Sequence, residues 1–473
     1  MKMTGGKVNI MMPIEIINRE LDCKLFLACM CAQETNRIFV GQHDSIYRLS
    51  RHISHGIYIG KHIFLDEWPL AKLDRYNQIK KNGHTLIHLD EEGAIYTGNE
   101  ERWRERLRQR LDPACLESGD FVCTWGDFQR DFYRSLDPRR GLDILTTGHP
   151  RFDLCKPRYR NYYSAEAEKI KDRFGRFILV NTNFSQANNG LGLNDAFSER
   201  FGYYTRDARS RLRFINEWAH ISHVFVDFIK LINFISIELP DVNIVIRPHP
   251  GEDRKYYDTV FKKVKNVHVI HEGSVAPWLL ACELLIHDGC TTALEAYMLD
   301  TNVINYKTIQ NPEHDLVVPN EIGIKCFSKD EVMDEIKNIL RSKEKKSSAG
   351  LSRLAGTLID NFSSDSFAKL VSVIRGVESK ISRSAHRYNR AGHLVSEYAH
   401  RTYANGKKMV RPMFKEKYMA YKFLTGSSTF KGLKRADVNS RIKRIEDILN
   451  VKVSCRFYGE ELLCIESRDG GPA

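Results

Sequence analysis

The chain is 473 residues long, 42% hydrophobic and 28% charged, proportions that fit a folded protein of two or three domains and exclude a disordered or fibrous one. No apolar run approaches the ~18–20 residues that cross a bilayer, and the best candidate, Val224 to Leu239, is broken by Asp227, Lys230 and Glu238. The formal net charge of +12 comes from the end of the chain: residues 341–473 hold 27 of the 72 Lys/Arg but only 13 of the 60 Asp/Glu, so the first 340 are close to neutral.

Short apolar stretches alternate with amphipathic ones up to about residue 340, which predicts an α/β fold with parallel sheets. A first series of strands is read at 8–16, 37–41, 56–60, 85–89, 121–125 and 143–147, with helices at 21–34 and 66–82. Gly148-His149-Pro150 and Lys156-Pro157 then interrupt the series, the punctuation of an interdomain connection. A second series follows at 177–181, 242–247, 267–271, 284–287 and 303–306, with helices at 206–238 and 291–299. The predicted organisation is therefore a Rossmann-like domain over 1–150, a linker over 151–176 and a second Rossmann-like domain over 177–342. The expected plan is that of a GT-B protein, two doubly wound domains facing each other across a cleft.

Beyond a polar linker at 343–348, basic helices are predicted at 367–382 and 385–403, then a Gly/Ser/Lys-rich stretch at 425–435, a helix at 437–449 and a hairpin of 451–458 with 461–465. This basic appended module on a neutral body calls for an anionic partner. It contains no recognisable nucleic-acid-binding motif, so the inner membrane surface is preferred over nucleic acid. The N-terminus lacks an apolar signal core, and the 11 cysteines show no CxxC pair, so reduced thiols are expected. A cytoplasmic protein held at the inner membrane is the resulting expectation.

Three motifs stand at predicted strand ends, where open α/β sheets bind ligands. Asp90-Glu91-Glu92-Gly93 follows the strand 85–89, and carboxylates this close raise one another's pKa, as a general base requires. The bland alternative is a solvated turn. Arg247-Pro248-His249-Pro250 ends the strand 242–247; two prolines fix the histidine, which can donate to a phosphate, and Arg247 can add a charged contact. Asp288-Gly289-Cys290-Thr291-Thr292 leads into a helix, whose N-terminus attracts anions; Thr291 and Thr292 offer hydroxyls there, and Glu295 stands one turn further to meet a ribose. Arg19 and Glu20, after the first strand, are candidates for lining the acceptor side of the cleft. His149-Pro150, a second His-Pro pair, reads as a packing element of the hinge. Glu217, His220 and His223 share a helix face but lack a fourth ligand, so no metal is expected. No cofactor motif appears either: neither Gly-x-Gly-x-x-Gly nor a Walker loop is present.

Glu91-Glu92-Gly93, His249-Pro250 and Thr291-Thr292, in that order, resemble the motifs of GT-B CMP-sialic acid transferases. Over roughly residues 8–340 the chain also resembles bacterial surface carbohydrate biosynthesis proteins. The matching stretches include Pro13-Ile14-Glu15, Thr147 to Asp153, Asn181 to Phe184, His271-Glu272-Gly273 and His287 to Ala296. Those proteins look related to the Kdo transferases of capsule and O-antigen assembly. The resemblance implies transfer of an ulosonic sugar (Kdo- or sialic-acid-like) from a CMP donor to a glycan or lipid-linked acceptor. It implies Glu92 as the base, with Asp90 or Glu91 as substitutes. It further implies His249 as donor to the CMP phosphate, with Thr291 and Thr292 holding it; Arg247 and Gly289 join that CMP site by their own placement at strand ends. The alternatives are a CDP-glycerol or CDP-ribitol phosphotransferase, which carries a similar Arg-x-His-Pro run, a sugar-nucleotide epimerase of the same architecture, and a non-catalytic nucleic-acid-binding protein.

Overall fold

The computed structural model describes residues 7–33, 36–61, 71–137, 141–199, 202–342, 351–381, 385–410, 430 and 432–468. They form two compact units: Met1–Gly93 with Glu105–Leu154 and Thr357–Ala473, and Ala94–Arg104 with Cys155–Gly356. Each is a Rossmann-like α/β unit, the pairing that defines a GT-B-type fold, with a mostly helical C-terminal region.

Strands are numbered in chain order. The first unit contains β1 (Asn9–Ile14), β2 (Arg37–Gln42), β3 (Ile53–Ser54), β4 (Ile57–Ile59), β5 (Thr85–Leu89), β6 (Phe121–Thr124) and β7 (Asp143–Thr146). It also contains the late strands β14 (Arg387–Tyr388), β15 (Val453–Tyr458) and β16 (Leu462–Ser467). Its main sheet runs β15-β16-β2-β1-β4-β5-β6-β7, with β14 and β3 pairing separately. From β2 to β7 all pairings are parallel, so strands such as β1 are covered on both faces and every residue of it is buried. β2 lies on one side of β1 and β4 on the other, which makes the C-terminal ends of β1 and β4 the switch point of this sheet.

The second unit contains β8 (Phe177–Asn181), β9 (Asn243–Arg247), β10 (Val267–Val269), β11 (Leu284–His287), β12 (Asn302–Tyr306) and β13 (Ile324–Cys326). All are parallel in the order β10-β9-β8-β11-β12-β13, the 3-2-1-4-5-6 arrangement of a dinucleotide-binding sheet, with its switch point between β8 and β11. The long helix Ala208–Glu238 packs its second half (Val224, Phe225, Phe228, Leu231, Ile232, Ile235) onto Ile178, Val180, Ile244 and Ile246 of the sheet. By length and composition this helix would suffice to cross a membrane, but its C-terminal half belongs to the core of the unit.

The units depart from the boundaries expected at 150 and 177. Residues 94–104 join the second unit, through a bridge of Thr97 to Leu316 and a bond from Arg102 Nη1 to the Glu313 carbonyl at 3.0 Å. The basic module does not stand apart either. Its hairpin adds β16 antiparallel to β2, from Leu462 opposite Gly41 to Glu466 opposite Arg37, which covers an open sheet edge. Helix Ser366–Lys380 packs on helix Ile17–Ala32, with Phe26 and Phe367 ring centroids 5.9 Å apart. Helix Arg435–Leu449 is tied to the same helix by the ion pair of Arg441 with Asp22. The linker expected at 343–348 and most of the stretch at 425–435 lie outside the described residues.

Candidate functional site

In the first unit the acidic motif emerges from β5 into a network of ion pairs rather than into a solvated turn. Asp90 is buried and held by the forked guanidinium of Arg110, with Nη2 to Oδ1 at 2.6 Å, and it accepts the Glu92 backbone N–H at 3.1 Å. Glu91, just past the strand, is also buried; it pairs with Lys24 at 2.6 Å and accepts from His149 Nε2 at 3.1 Å. His149 Nδ1 accepts the Arg151 N–H at 3.2 Å, so the neutral ring carries its proton on Nε2. The His149 ring is thus a buried packing element, engaged through both nitrogens. Glu92 alone of the three acids is open, its side chain 40% exposed, with Arg19 at 3.1 Å and Arg110 at 3.3 Å. Despite the burial that opposes it, the charge of Lys61, Arg19 and Arg110 holds the Glu92 carboxyl far below the usual range. The repulsion that would have made it a base is outweighed by three cations, and a carboxylate so stabilised has little basicity to offer.

Gly93 owes its place to packing. A Cβ there would overlap the indole of Trp125, which donates through Nε1 to the Asp90 carbonyl at 2.8 Å. Glu20 does not face an open surface: it is buried and caps its own helix, accepting from the backbone N–H groups of Glu15 at 3.0 Å and Ile16 at 3.2 Å. Arg19 bridges Glu20 and Glu92.

In the second unit the strand ends hold the other motifs. His249 is exposed on the loop after β9, and its Nδ1 accepts the Gly251 N–H at 3.1 Å, leaving Nε2 as the donor of the neutral ring. Arg247 departs from its expected phosphate contact. It is buried, its fork donates to the carbonyls of Glu272 at 2.8 Å and Gly273 at 3.2 Å, and its guanidinium lies 5.0 Å over the Trp278 ring. Burial brings its pKa down to about 10 against the opposing charge of Glu272. Gly289 turns the chain after β11 at φ +59°, a left-handed conformation that favours glycine. Thr291 occupies the cap position of the short helix Thr292–Met298 without a side-chain cap bond. The Thr292 hydroxyl donates to Cys290 Sγ at 3.1 Å and accepts from Asn181 Nδ2 at 2.9 Å. Glu295, expected to reach a ribose, is buried in that helix. His220 stacks on His314 with centroids 5.1 Å apart, and Glu217 accepts from Gln186; among the described residues no cluster suited to a metal ion is found.

Two features escaped the sequence reading. The first is Glu252, three residues past His249. Its buried carboxylate accepts from Thr182 Oγ1 (2.8 Å), Phe184 N (3.0 Å), His249 N (3.0 Å) and the Tyr257 hydroxyl (2.5 Å). It therefore clamps the ends of β8 and β9 together, and burial raises its pKa. Its only sequence signal is an acid closing the run Pro248 to Glu252. The second is a set of buried polar atoms with no hydrogen-bond partner: Asn181 Oδ1 at the end of β8, Ser274 Oγ after β10, and Thr308 Oγ1 and Asn320 Nδ2 after β12. All four follow or end strands on the C-terminal edge of the sheet, and such an arrangement is invisible before strand order is known.

No protein-family model matches the chain, and no curated protein matches it. Solved structures do. The UDP-GlcNAc 2-epimerase of Methanocaldococcus jannaschii, crystallised with UDP-GlcNAc and UDP, aligns over 78% of this chain and 99% of its own at 12% identity and TM-score 0.44. The Neisseria meningitidis UDP-GlcNAc 2-epimerase bound to UDP-GlcNAc aligns over 78% and 100% at 13% identity and TM-score 0.42. An Anabaena protein in complex with UDP and glucose aligns over 80% and 100% at 11% identity and TM-score 0.39. The nucleotides held by these proteins are UDP and a UDP-sugar, and two of the three are described as UDP-GlcNAc 2-epimerases. The expectation of an ulosonic sugar carried from a CMP donor to a glycan acceptor is corrected accordingly.

Proposed function

We propose that this chain is a nucleotide-sugar enzyme that binds its nucleotide on the C-terminal edge of the second unit and breaks the bond between phosphate and sugar. The observation that supports the reading is the set of orphaned buried atoms on that edge: Asn181, Ser274, Thr308 and Asn320. A buried polar atom left unpaired costs about 1–3 kcal/mol, and folded proteins keep few of them. Four on the ligand-binding edge of a 3-2-1-4-5-6 sheet are accounted for by a polar ligand that completes their bonds. His249, exposed on a loop braced by Glu252, presents Nε2–H to the phosphate. As the sugar–oxygen bond breaks, negative charge grows on that phosphate and the donor stabilises it.

Thermal melting of the full chain with UDP, GDP, CMP and inorganic phosphate tests the nucleotide site, since a ligand of the folded form raises its midpoint. UDP heads the panel because it is the nucleotide of the crystal structures named above. Incubation with UDP-GlcNAc, followed by proton and phosphorus NMR, reads epimerised sugar and released UDP. The expected result is a UDP-dependent rise that His249→Ala largely removes. A melting point indifferent to every nucleotide, or a His249→Ala protein stabilised as much as wild type, would sink the proposal.

A further inference from the structure

The long helix of the second unit, Ala208–Glu238, is apolar on two faces but packed on one. Val224, Phe228, Leu231, Ile232 and Ile235 lie against the sheet. On the opposite side stand Leu212, Ile215, Ala219, Ser222, Val226 and Ile229, at the alternating steps of three and four residues that keep one line along a helix. Leu212, Ile215 and Val226 are 63%, 40% and 46% exposed, and the other three are half-buried. Only 39% of the most apolar 18-residue stretch of this helix is buried within the chain. A helix that is apolar all round ordinarily has both faces covered, so the outward line calls for a partner. Its one polar member is already satisfied. The Ser222 hydroxyl donates to the Trp218 carbonyl at 2.7 Å, so a dry seam strands no donor there.

We infer that this line is the contact of a two-fold homodimer, in which the helix packs antiparallel against the same helix of a second copy. The spacing gives a self-complementary register: Leu212 lies opposite Ile229 of the partner subunit, Ile215 opposite Val226 of the partner subunit, and Ala219 opposite Ser222 of the partner subunit. Every large side chain then faces another, and the two-fold axis passes between Ala219 and Ser222, whose small side chains let the backbones approach closely. Charge selects both orientation and occupant. The start of the helix is basic, with Arg209, Arg211 and Arg213, and its far half carries Asp227 and Glu238. Antiparallel packing brings Arg213 alongside Asp227 of the partner subunit. Asp227 pairs with Lys230 of its own chain at 3.1 Å, and a carboxylate can accept from two cations. Parallel packing would instead stack the three arginines on their own copies. An anionic lipid surface fits less well, because it repels Asp227, Glu238 and the Asp241 that follows, and a flat bilayer leaves unfilled the notch at Ala219 and Ser222 that a second helix fills. No residue of this seam belongs to the nucleotide site, so dimer and nucleotide binding stand or fall separately.

The test is sedimentation velocity of the full chain over a concentration series from about 1 to about 200 µM. A single helix pair stands at the low end of interface sizes, so wild type is expected to pass from monomer to dimer with a dissociation constant of about 10 µM. Ile215→Glu and Val226→Lys each place a charge in the dry seam and should weaken the dimer by about tenfold or more. Both positions are exposed in the single chain, so the folded monomer should keep its circular dichroism and melting midpoint. The double variant sets each new carboxylate opposite a new ammonium and should recover dimerisation, which a parallel pair or another register does not allow. Dimerisation indifferent to both single variants, or a double variant as monomeric as the singles, overturns the pairing. So does a wild type that stays monomeric at the highest concentration. If that monomer pellets with phosphatidylglycerol vesicles and Ile215→Glu does not, the line belongs to a lipid surface instead.

Discussion

Replacing Glu252 with alanine removes one acceptor shared by four donors. Three of these, Thr182 Oγ1, the Phe184 N–H and the Tyr257 hydroxyl, belong to buried residues, while the His249 N–H sits at an exposed position that water can reach. An unpaired buried donor costs about 1–3 kcal/mol, and water entering the vacated space recovers part of it, so Glu252→Ala should destabilise the protein by about 3–5 kcal/mol. Glu252→Gln keeps an oxygen for Thr182, Phe184 and His249 and offers an amide N–H to the tyrosine oxygen; its cost should be about 1–2 kcal/mol. The pH dependence has a definite sign. Burial raises the folded pKa of Glu252, so the carboxyl resists ionisation more in the fold than in the unfolded chain. Its contribution is complete below the unfolded pKa and declines as pH rises through the folded value. The gap between wild type and Glu252→Gln should therefore narrow as pH increases. Urea unfolding of both variants across a pH series checks this, with UDP melting shifts as the functional readout. Glu252→Ala costing under about 1 kcal/mol, or glutamine proving as damaging as alanine, would refute the clamp.

Three further substitutions test the first unit. Lys24 is buried between Glu20 at 3.1 Å and Glu91 at 2.6 Å, so Lys24→Met strands two buried carboxylates and should cost about 3–5 kcal/mol in denaturant melts. Because Lys24 and His149 hold the Glu91 carboxyl well below its usual pKa, wild-type stability from this group is present above the unfolded pKa and is lost as pH falls; Glu91→Gln should flatten that acid limb. Gly93→Ala drives a methyl into Trp125 and should destabilise by about 1–3 kcal/mol, visible as a change in tryptophan fluorescence and a lower melting midpoint.

The alternation of apolar and amphipathic segments settled more than the fold class: β5, β8 and β11 occupy the residues predicted for them, and the other central strands lie within two residues at either end. That legibility has a simple cause. Parallel strands buried on both faces need continuous apolar runs, and such runs are local in sequence. The terminal hairpin was legible from a different local signal, two short strand-like runs either side of a turn at Gly459. Its destination was not, because pairing β16 with β2 joins residues more than 400 positions apart and turns a supposed tail into the edge of a sheet.

The motifs divide along the same line. Sequence alone placed His249 and Gly289 on strand-end loops, since prolines and a glycine constrain the backbone whatever surrounds them. The chemistry of the acidic run depended on partners delivered from elsewhere: Arg19 and Lys24 from the first helix, Lys61 from the end of β4, Arg110 from beyond the motif. A row of acids predicts mutual repulsion and raised pKa values. Surrounded by cations that only the tertiary fold assembles, the same row is ionised, and Glu91 and Asp90 become braces while Glu92 becomes an acceptor. Local backbone preferences are written in the residues that bear them, whereas a side chain's charge state is set by its neighbours in space.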